Sequence, residues 1–333
     1  MKVLNSSLRR SEDEWVSFIK KRFLSPKSRI GDDCAIMDNF NNIVITTDTL
    51  IEKIDFELNW APLEAVGWKS LAQNLSDLAA MGAKPHSFLL NLAIPKKIDD
   101  KGIERIFKGI YSLSKKENIE LIGGDLSKSP KELYISITAL GTVGNKPLLR
   151  SKAKIGDYIF VSSPLGGPCT ALKFFKKGFC LDNFSLKGKI KDKDLILDRF
   201  FRPPSQTTLG IKLSEMVISS CAIDISDGLL KDLERILKSS GVGAILYLED
   251  IPRFSFQSKK KVSLDSALYG GEEQTLLFTV SPQKEKLLKK FGIKAFKIGH
   301  IVSEKYIFIE SKGQKRKLDV KGFDHFRKQN RHF

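Results

Sequence analysis

Cysteine is scarce in this chain. Four residues in 333 (Cys34, Cys169, Cys180 and Cys221) are scattered without a Cys-x-x-Cys pair. That pattern supports neither a zinc site nor a disulfide framework and predicts reduced, mostly buried thiols. Long apolar runs are also missing, and none approaches the length needed to cross a bilayer. Met1 to Arg10 carries basic residues but no apolar stretch, so a signal peptide is not expected and the cytoplasm is the default location. There is no Gly-x-x-x-x-Gly-Lys-Ser/Thr loop and no His-Arg-Asp set, which removes the commonest nucleotide-binding answers. Negative charge is in deficit, with 39 Asp and Glu against 56 Lys and Arg and a net charge of +17. Such a balance favours polyanions. Yet the basic clusters, such as Lys96-Lys97, Lys259-Lys260-Lys261 and Lys315-Arg316-Lys317, are dispersed and not interleaved with aromatics. Nucleic acid is therefore not the expected main partner, while a positive potential suits phosphorylated metabolites.

What remains is an ordinary globular composition, 41% hydrophobic and 29% charged, at a length comfortable for two domains. Ser11-Glu-Asp-Glu14 is a capping box, followed by a helical stripe of Trp15, Phe18, Ile19 and Phe23 that Pro26 ends. Asn42–Asp48 reads as a strand ending in a carboxylate. Pro62 starts a helix carrying Trp68, Leu71, Leu75 and Asp77, with Gly82 as its stop. Ser87–Ile94 is strand-like, Ile103 to Leu113 is spaced as an amphipathic helix, and Ile119–Ile122 leads as a strand into Gly123-Gly124-Asp125. Leu133–Val143 alternates as a longer strand. After Arg150 the expected order is strand 157–162, a glycine-rich turn and helix, then helix 207–218 behind Pro203-Pro204. Strand 221–224, a strongly periodic helix over 228–237 closed by Gly241, and strands near 275–280 and 306–310 complete it. Helices and strands mix throughout, so the fold class is α/β (α+β) in two domains. The expected division is a helical extension over 1–28, a first domain over 29–148 and a second over 149–333.

The acidic residues that stand out are Asp32-Asp33, Asp48, Asp77, Asp125, and Asp224 with Asp227. Most neighbour Gly, Ser or Thr at a strand end or helix boundary, and all are Asp rather than Glu. Any one of them alone is accounted for by turn or N-cap chemistry. Their recurrence in both halves points further. Carboxylates converging on one cleft repel and rise in pKa unless cations neutralise them, and short all-oxygen ligands suit Mg²⁺ beside substrate phosphates. The residues themselves lead to a metal-dependent enzyme of phosphorylated substrates and no further.

Six segments in order carry a resemblance: Gly31-Asp-Asp-Cys-Ala35, Thr46-Thr-Asp-Thr-Leu50, Asn74-Leu-Ser-Asp-Leu-Ala-Ala-Met-Gly-Ala83, Gly123-Gly-Asp125, Asp224-Ile-Ser-Asp-Gly228 and Gly270-Gly-Glu272. With the closing Gly322-Phe-Asp-His-Phe326, the pattern resembles the thiamine-monophosphate kinases of the aminoimidazole-ribonucleotide-synthetase-like (PurM-like) superfamily, from about residue 29 onward. The resemblance implies a first domain that builds a β-barrel across a homodimer interface, a second α/β domain, and ATP with several Mg²⁺ ions between them. It implies direct in-line transfer from ATP to thiamine monophosphate, giving thiamine diphosphate, with no histidine nucleophile. It assigns Asp33, Thr47, Asp48, Asp77, Asp125, Asp224 and Asp227 to the metal shell. Gly124, Asp125, Arg150, Ser226 and Phe107 fall to ATP, and Asp55, Glu272 and Phe323 to the acceptor. Another small phosphorylated acceptor, or a non-catalytic nucleotide- or nucleic-acid-binding derivative, are the competing readings.

Three departures from the family pattern fall at the acceptor end. Asp55 stands where the family's Glu-Gly-x-His-Phe segment has its histidine, in Glu52-Lys-Ile-Asp-Phe56. Leu126 replaces the Thr that follows Gly-Gly-Asp. Gly270-Gly-Glu-Glu-Gln-Thr275 replaces Gly-Gly-Glu-Asp-Tyr-Glu. A carboxylate at Asp55 is expected to repel a substrate phosphate unless Lys53 swings in or the acceptor's pyrimidine donates to it.

Overall fold

The computed structural model describes residue 14 and residues 34–37, 42–144, 146–177, 194–256 and 259–318. The expected N-terminal helix, Asp32-Asp33 and the closing segment with Phe323 lie outside the described residues.

In chain order the first half gives β1 (Ala35–Met37), β2 (Ile43–Ile51), helix α1 (Leu63–Ala80), β3 (Lys84–Pro95), helix α2 (Asp100–Glu117), β4 (Glu120–Ser129) and β5 (Tyr134–Thr142). The five strands form an open sheet ordered β1-β2-β5-β3-β4. The second half gives β6 (Tyr158–Val161), α3 (Gly167–Lys176), α4 (Asp194–Phe201), α5 (Thr207–Glu215), β7 (Cys221–Asp224), α6 (Leu229–Ser240) and β8 (Gly243–Tyr247). It continues with α7 (Leu264–Tyr269), β9 (Leu276–Val280), α8 (Glu285–Lys290), β10 (Phe296–Val302), β11 (Ile307–Ser311) and β12 (Gln314–Leu318). Its seven strands are ordered β12-β11-β8-β10-β6-β9-β7. The fold is mixed α/β with two sheets, as the alternation of patterns predicts.

Two strands run further than expected. Asp48 does not end β2, which pairs with β5 over all nine residues from Ile43 to Ile51. Nor does Gly123-Gly124-Asp125 end β4, which continues beside β3 to Ser129. Gly124 allows this: at φ 151° it passes so close to β3 that a Cβ there would lie 1.8 Å from the Leu90 carbonyl oxygen. Only glycine tolerates both the dihedral and the approach.

Helix α1 lies between the two halves. Pro62 precedes it and Gly82, at φ 70°, follows its last turn. Its buried residues run almost all round the helix, from Ala65 to Ala80, which marks an interior helix rather than a surface one. Leu71, Leu75 and Leu78 pack into the core beneath the first sheet with Phe88, Ile106 and Ile137. Ala79 and Ala80 belong instead to a cluster with Phe160, Leu213 and Phe278 against the second sheet. Small residues set the closeness of these contacts. A Cβ on Gly109 of α2 would lie 1.9 Å from the Glu64 carbonyl oxygen, and one on Gly210 of α5 would lie 2.0 Å from that of Ala79. On the far side of the second sheet, α6 packs Leu229, Leu233 and Ile236 into a separate core.

Candidate active site

The site is assembled around α1. Ser76 and Asp77 are consecutive and so point about 100° apart on the helix. Asp77 turns to the first sheet, where Thr46 Oγ1 of β2 donates to its Oδ2 at 2.5 Å. Ser76 turns to the second sheet and donates to Asp224 Oδ2 at the end of β7, at 2.8 Å. Asp224 is 5% exposed. Two turns earlier on the Ser76 side, Lys69 Nζ reaches Glu272 Oε1 at 2.7 Å and sits 4.4 Å from the Phe200 ring centre. Lys69 is 5% exposed, so this is a largely enclosed cation held by one carboxylate and one aromatic face.

The turn after β7 is built on a carboxylate that sequence reasoning missed. Asp232 Oδ2 accepts hydrogen bonds from the N–H groups of Ser226, Asp227 and Gly228, at 3.0, 3.0 and 3.1 Å. Its other oxygen accepts from Arg235 at 2.7 Å. Burial pushes the Asp232 carboxyl up to about 7, opposed by the nearby charges of Arg235 and Arg150 and by the turn's N–H groups. The sequence signal was an Asp in the first turn of a helix just after Asp-Gly, where free N–H groups need an acceptor. Asp227 itself is bracketed by Lys231 at 2.9 Å and Arg235 at 2.6 Å. Its charge is thus compensated by cations of the chain, not only by the expected metal. Arg150 follows β5 in a short 3₁₀ turn whose carbonyl accepts from Ser240 Oγ on α6.

The Gly270–Thr275 loop is fastened to this turn. Glu272 N–H donates to the Ser226 carbonyl at 2.6 Å, Gln274 N–H to that of Ile225 at 2.9 Å, and Ile225 N–H to that of Thr275 at 2.8 Å. Gly271 approaches so closely that a Cβ there would lie 2.4 Å from the Ser226 oxygen. Glu272 and Gln274 adopt left-handed φ values of 65° and 40°. Such strain in non-glycine residues costs about 1 kcal/mol or more each and concentrates at functional sites. Behind the loop, Glu273 is fully buried, accepts from Gly166 N–H, and is pushed up to about 8 by desolvation. Its Oε2 has no hydrogen-bond partner among the described residues.

Beside Lys69 lies a notch lined by Phe56, Trp60, Val66, Phe200 and Phe201, with an empty volume of about 230 Å³ counted together with the space open to solvent. Trp60 stacks on Phe175 with ring centres 4.8 Å apart. Asp55 closes the adjacent turn, its Oδ2 accepting from Ile51 N–H at 2.7 Å. Lys53 does not swing toward Asp55. It pairs with Glu132 at 2.9 Å, in a group with Lys97 and Glu52.

The remaining expected residues are distributed by strand register. Asp48, Ile137, Leu90 and Gly124 form one row across the first sheet, and Thr49, Ser136, Asn91 and Asp125 form the next. Successive strand residues alternate faces. Asp48 therefore shares the α1 face with Thr46, while Asp125 and Thr47 fall on the opposite, open face. Thr47 Oγ1 donates there to the Ile137 carbonyl. Phe107 packs half-buried on α2 against the first core. Among the described residues, no three His, Cys, Asp or Glu side chains come together as a metal shell. The carboxylates form a first-sheet group of Asp48 and Asp77 and a second-sheet group of Asp224 and Asp227, tied through adjacent residues of α1.

Residues 31–143 match the AIR synthase related protein N-terminal domain, and residues 188–312 match the corresponding C-terminal domain. The chain is 36% identical over 307 residues to the thiamine-monophosphate kinase of Buchnera aphidicola subsp. Schizaphis graminum, covering 89% of this chain and 92% of that one. This chain belongs to the thiamine-monophosphate kinase family. Among solved structures, the thiamine-monophosphate kinase from Stenotrophomonas maltophilia K279a superposes with a TM-score of 0.74 at 32% identity, covering 90% of this chain and 96% of that one. The structure of AaThiL complexed with AMPPCP and TMP superposes with a TM-score of 0.83 at 27% identity, covering 97% and 100%. Family membership accounts for the order of the acidic segments. It leaves open how the altered acceptor loop works, and that has to come from the geometry above.

Proposed function

We propose that this protein transfers the γ-phosphoryl group of ATP directly to the phosphate of thiamine monophosphate, giving thiamine diphosphate and ADP. The observation that carries the reading is the double reach of α1. One helix places Asp77 against the first sheet, Ser76 against Asp224 of the second, and Lys69 against Glu272 of the loop beside the aromatic notch. Transfer of this kind asks mainly that two anionic reactants be held in line and their charge offset. The donor set fits Mg²⁺, being all oxygen and mostly short Asp side chains. Asp48 and Asp77 on one side and Asp224 and Asp227 on the other would hold it, with Asp33 and the Thr47 carbonyl as further ligands, while Asp125 stands on the opposite face of the first sheet. Bound Mg²⁺ would offset the charge of the phosphate oxygens in transfer.

The chain's own residues do the rest. Gly124 and Ser226, the latter on a turn kept in shape by Asp232, would approach the nucleotide phosphates, and Arg150 adds a cation beside that turn. The aromatic side chains Phe56, Trp60 and Phe200 would flank the ring of the acceptor beside Lys69 and its partner Glu272, with Asp55 and Phe323 as further acceptor contacts and Phe107 toward the nucleotide. The chain divides at residues 148 and 149, after an extension over 1–28, and works in the cytoplasm. In the described residues no helix is long and apolar enough to cross a membrane.

A homodimer is part of the same reading. Edge strand β4 is exposed along nine of its ten residues, with Leu121, Ile122 and Leu126 open at 47%, 58% and 63%. An unpaired apolar edge of this kind is normally covered, and a second copy completing a barrel would cover it. The function is tested by incubating the protein with ATP, Mg²⁺ and a panel of phosphorylated acceptors and reading phosphorus NMR. Thiamine diphosphate is expected from thiamine monophosphate, and ATP consumed only with a different acceptor would refute the substrate.

A further inference from the structure

Gln73 has no role in anything described so far, yet it occupies the middle of the site. On α1 it is one turn from Lys69 and one turn from Asp77, and with Ser76 it completes an i, i+4, i+7 stripe that begins at Lys69. The neighbours on that stripe are all committed: Lys69 to Glu272, Ser76 to Asp224, and Asp77 to Thr46. Gln73 is not. Its Oε1 is buried and has no hydrogen-bond partner among the described residues. Asn74, the next residue, also buries an oxygen without a partner, but it is fully enclosed and its Nδ2 is tied to the Ser70 carbonyl at 3.0 Å. Gln73 is only partly buried, on the helix face between Lys69 and Asp77.

A buried amide without a partner destabilises the fold, whereas an apolar side chain of similar size at the same place would not. Such a group is explained when something that binds there satisfies it. Its place narrows the candidates. On one side lies Glu272 with the aromatic notch, and on the other lie the carboxylates of the phosphoryl end. Between the ring-binding end of an acceptor and the point of transfer lies the acceptor's own phosphate. Among the described residues no group hydrogen-bonds the Oε1 of this amide and fixes its orientation, so Nε2 can turn inward and donate to a phosphate oxygen.

We propose that Gln73 is a specificity-determining contact that donates to the phosphate of the acceptor. The inference rests on the kinase reading above and adds a residue and an atom to it. It makes the acceptor's phosphate a recognised group as well as the attacking one.

The test uses the full chain with Gln73→Leu, which removes the amide at similar volume, and Gln73→Glu, which keeps the shape and adds a negative charge. For Gln73→Leu the melting temperature is expected to stay level or rise, because an unsatisfied amide is gone. KM for thiamine monophosphate rises roughly tenfold or more, as for loss of a hydrogen bond to a charged group, while KM for ATP is unchanged. Competitive inhibition by thiamine, which lacks the phosphate, is unchanged in the same variant. Gln73→Glu raises the acceptor KM further, and more steeply at low salt. The inference is overturned if the wild-type protein turns over thiamine monophosphate and both variants keep its KM. It is equally overturned if Gln73→Leu lowers the melting temperature and raises both KM values together, since that marks a packing role. A wild-type protein that does not use thiamine monophosphate refutes the kinase reading, and this inference with it.

Discussion

The two ends of helix α1 hold their partners in different ways. At the C-terminal end, Asp77 is met by the hydroxyl of Thr46 on β2, and Asp224 on β7 is met by the hydroxyl of Ser76, so each pair joins the helix to a strand whose position a sheet determines. The nearby phosphate turn is shaped by backbone N–H groups converging on Asp232. At the N-terminal end, Glu272 is held by a lysine and by a backbone in the left-handed region, next to aromatic rings from α4. The first end is set by short side chains on regular elements and by a backbone turn, which leaves little freedom to substitute. The second is set by a long-range ion pair to a loop, which substitutes more readily. Two of the three departures, at Asp55 and in the Gly270–Thr275 loop, lie within or beside elements of the second kind, whereas Leu126 lies on edge strand β4, and the carboxylates of the first are intact.

The largest effect expected from disturbing this contrast is at Asp77. Asp77→Asn keeps the shape and the Thr46 contact while removing the charge. Thiamine diphosphate formation should fall by about a thousandfold or more with little change in melting temperature. Next is Asp232→Asn, which turns a buried carboxyl group, one oxygen serving three N–H groups and the other Arg235, into a neutral amide. A destabilisation on the order of 3 kcal/mol is expected by denaturant titration, with loss of activity, because the turn that carries Ser226 and Asp227 depends on it.

Glu273 marks the acceptor loop from behind by pH. Its folded pKa is raised to about 8 from 4.5, so the folded state keeps a proton that the unfolded state releases between those values. Its contribution to stability is therefore full below pH 4.5 and is lost as pH rises toward 8, at about 1.4 kcal/mol per pH unit at most. Glu273→Gln should flatten that slope in thermal denaturation measured across the interval. The smallest effect is expected at Asp55. Its Oδ2 is already engaged by Ile51 N–H, so Asp55→His should change the acceptor KM by roughly threefold or less. A larger fall in KM would show that the carboxylate does face the substrate phosphate.

Much of the fold was legible because periodicity reports burial. The stripe through Leu71 and Leu75 gave α1, and the Leu229–Leu237 period gave α6 between Gly228 and Gly241. The strand ends were misread at Asp48 and Asp125. Glycine and aspartate signal a turn locally, but the pairing of β2 with β5 and of β4 with β3 overrides that preference. The same error made the carboxylates look like a single cluster, when strand alternation puts Asp125 on the face away from Asp48. Lys69 went unnoticed because its partner lies far along the chain, Asp232 because its partners are backbone N–H groups of the adjacent turn, and Gln73 because its Oε1 has no partner among the described residues. Motif spacing contains no trace of Lys69 meeting Glu272 across 203 residues.

The most direct test of the division along α1 is steady-state kinetics of Lys69→Met, with KM for thiamine monophosphate and KM for ATP measured side by side. Removing the largely enclosed ammonium frees Glu272, and an acceptor KM raised roughly tenfold with the ATP KM and kcat nearly unchanged is predicted, partly restored by Lys69→Arg. A variant that instead loses kcat while keeping the acceptor KM would contradict the account, because the two ends of the helix would then not be doing separate work.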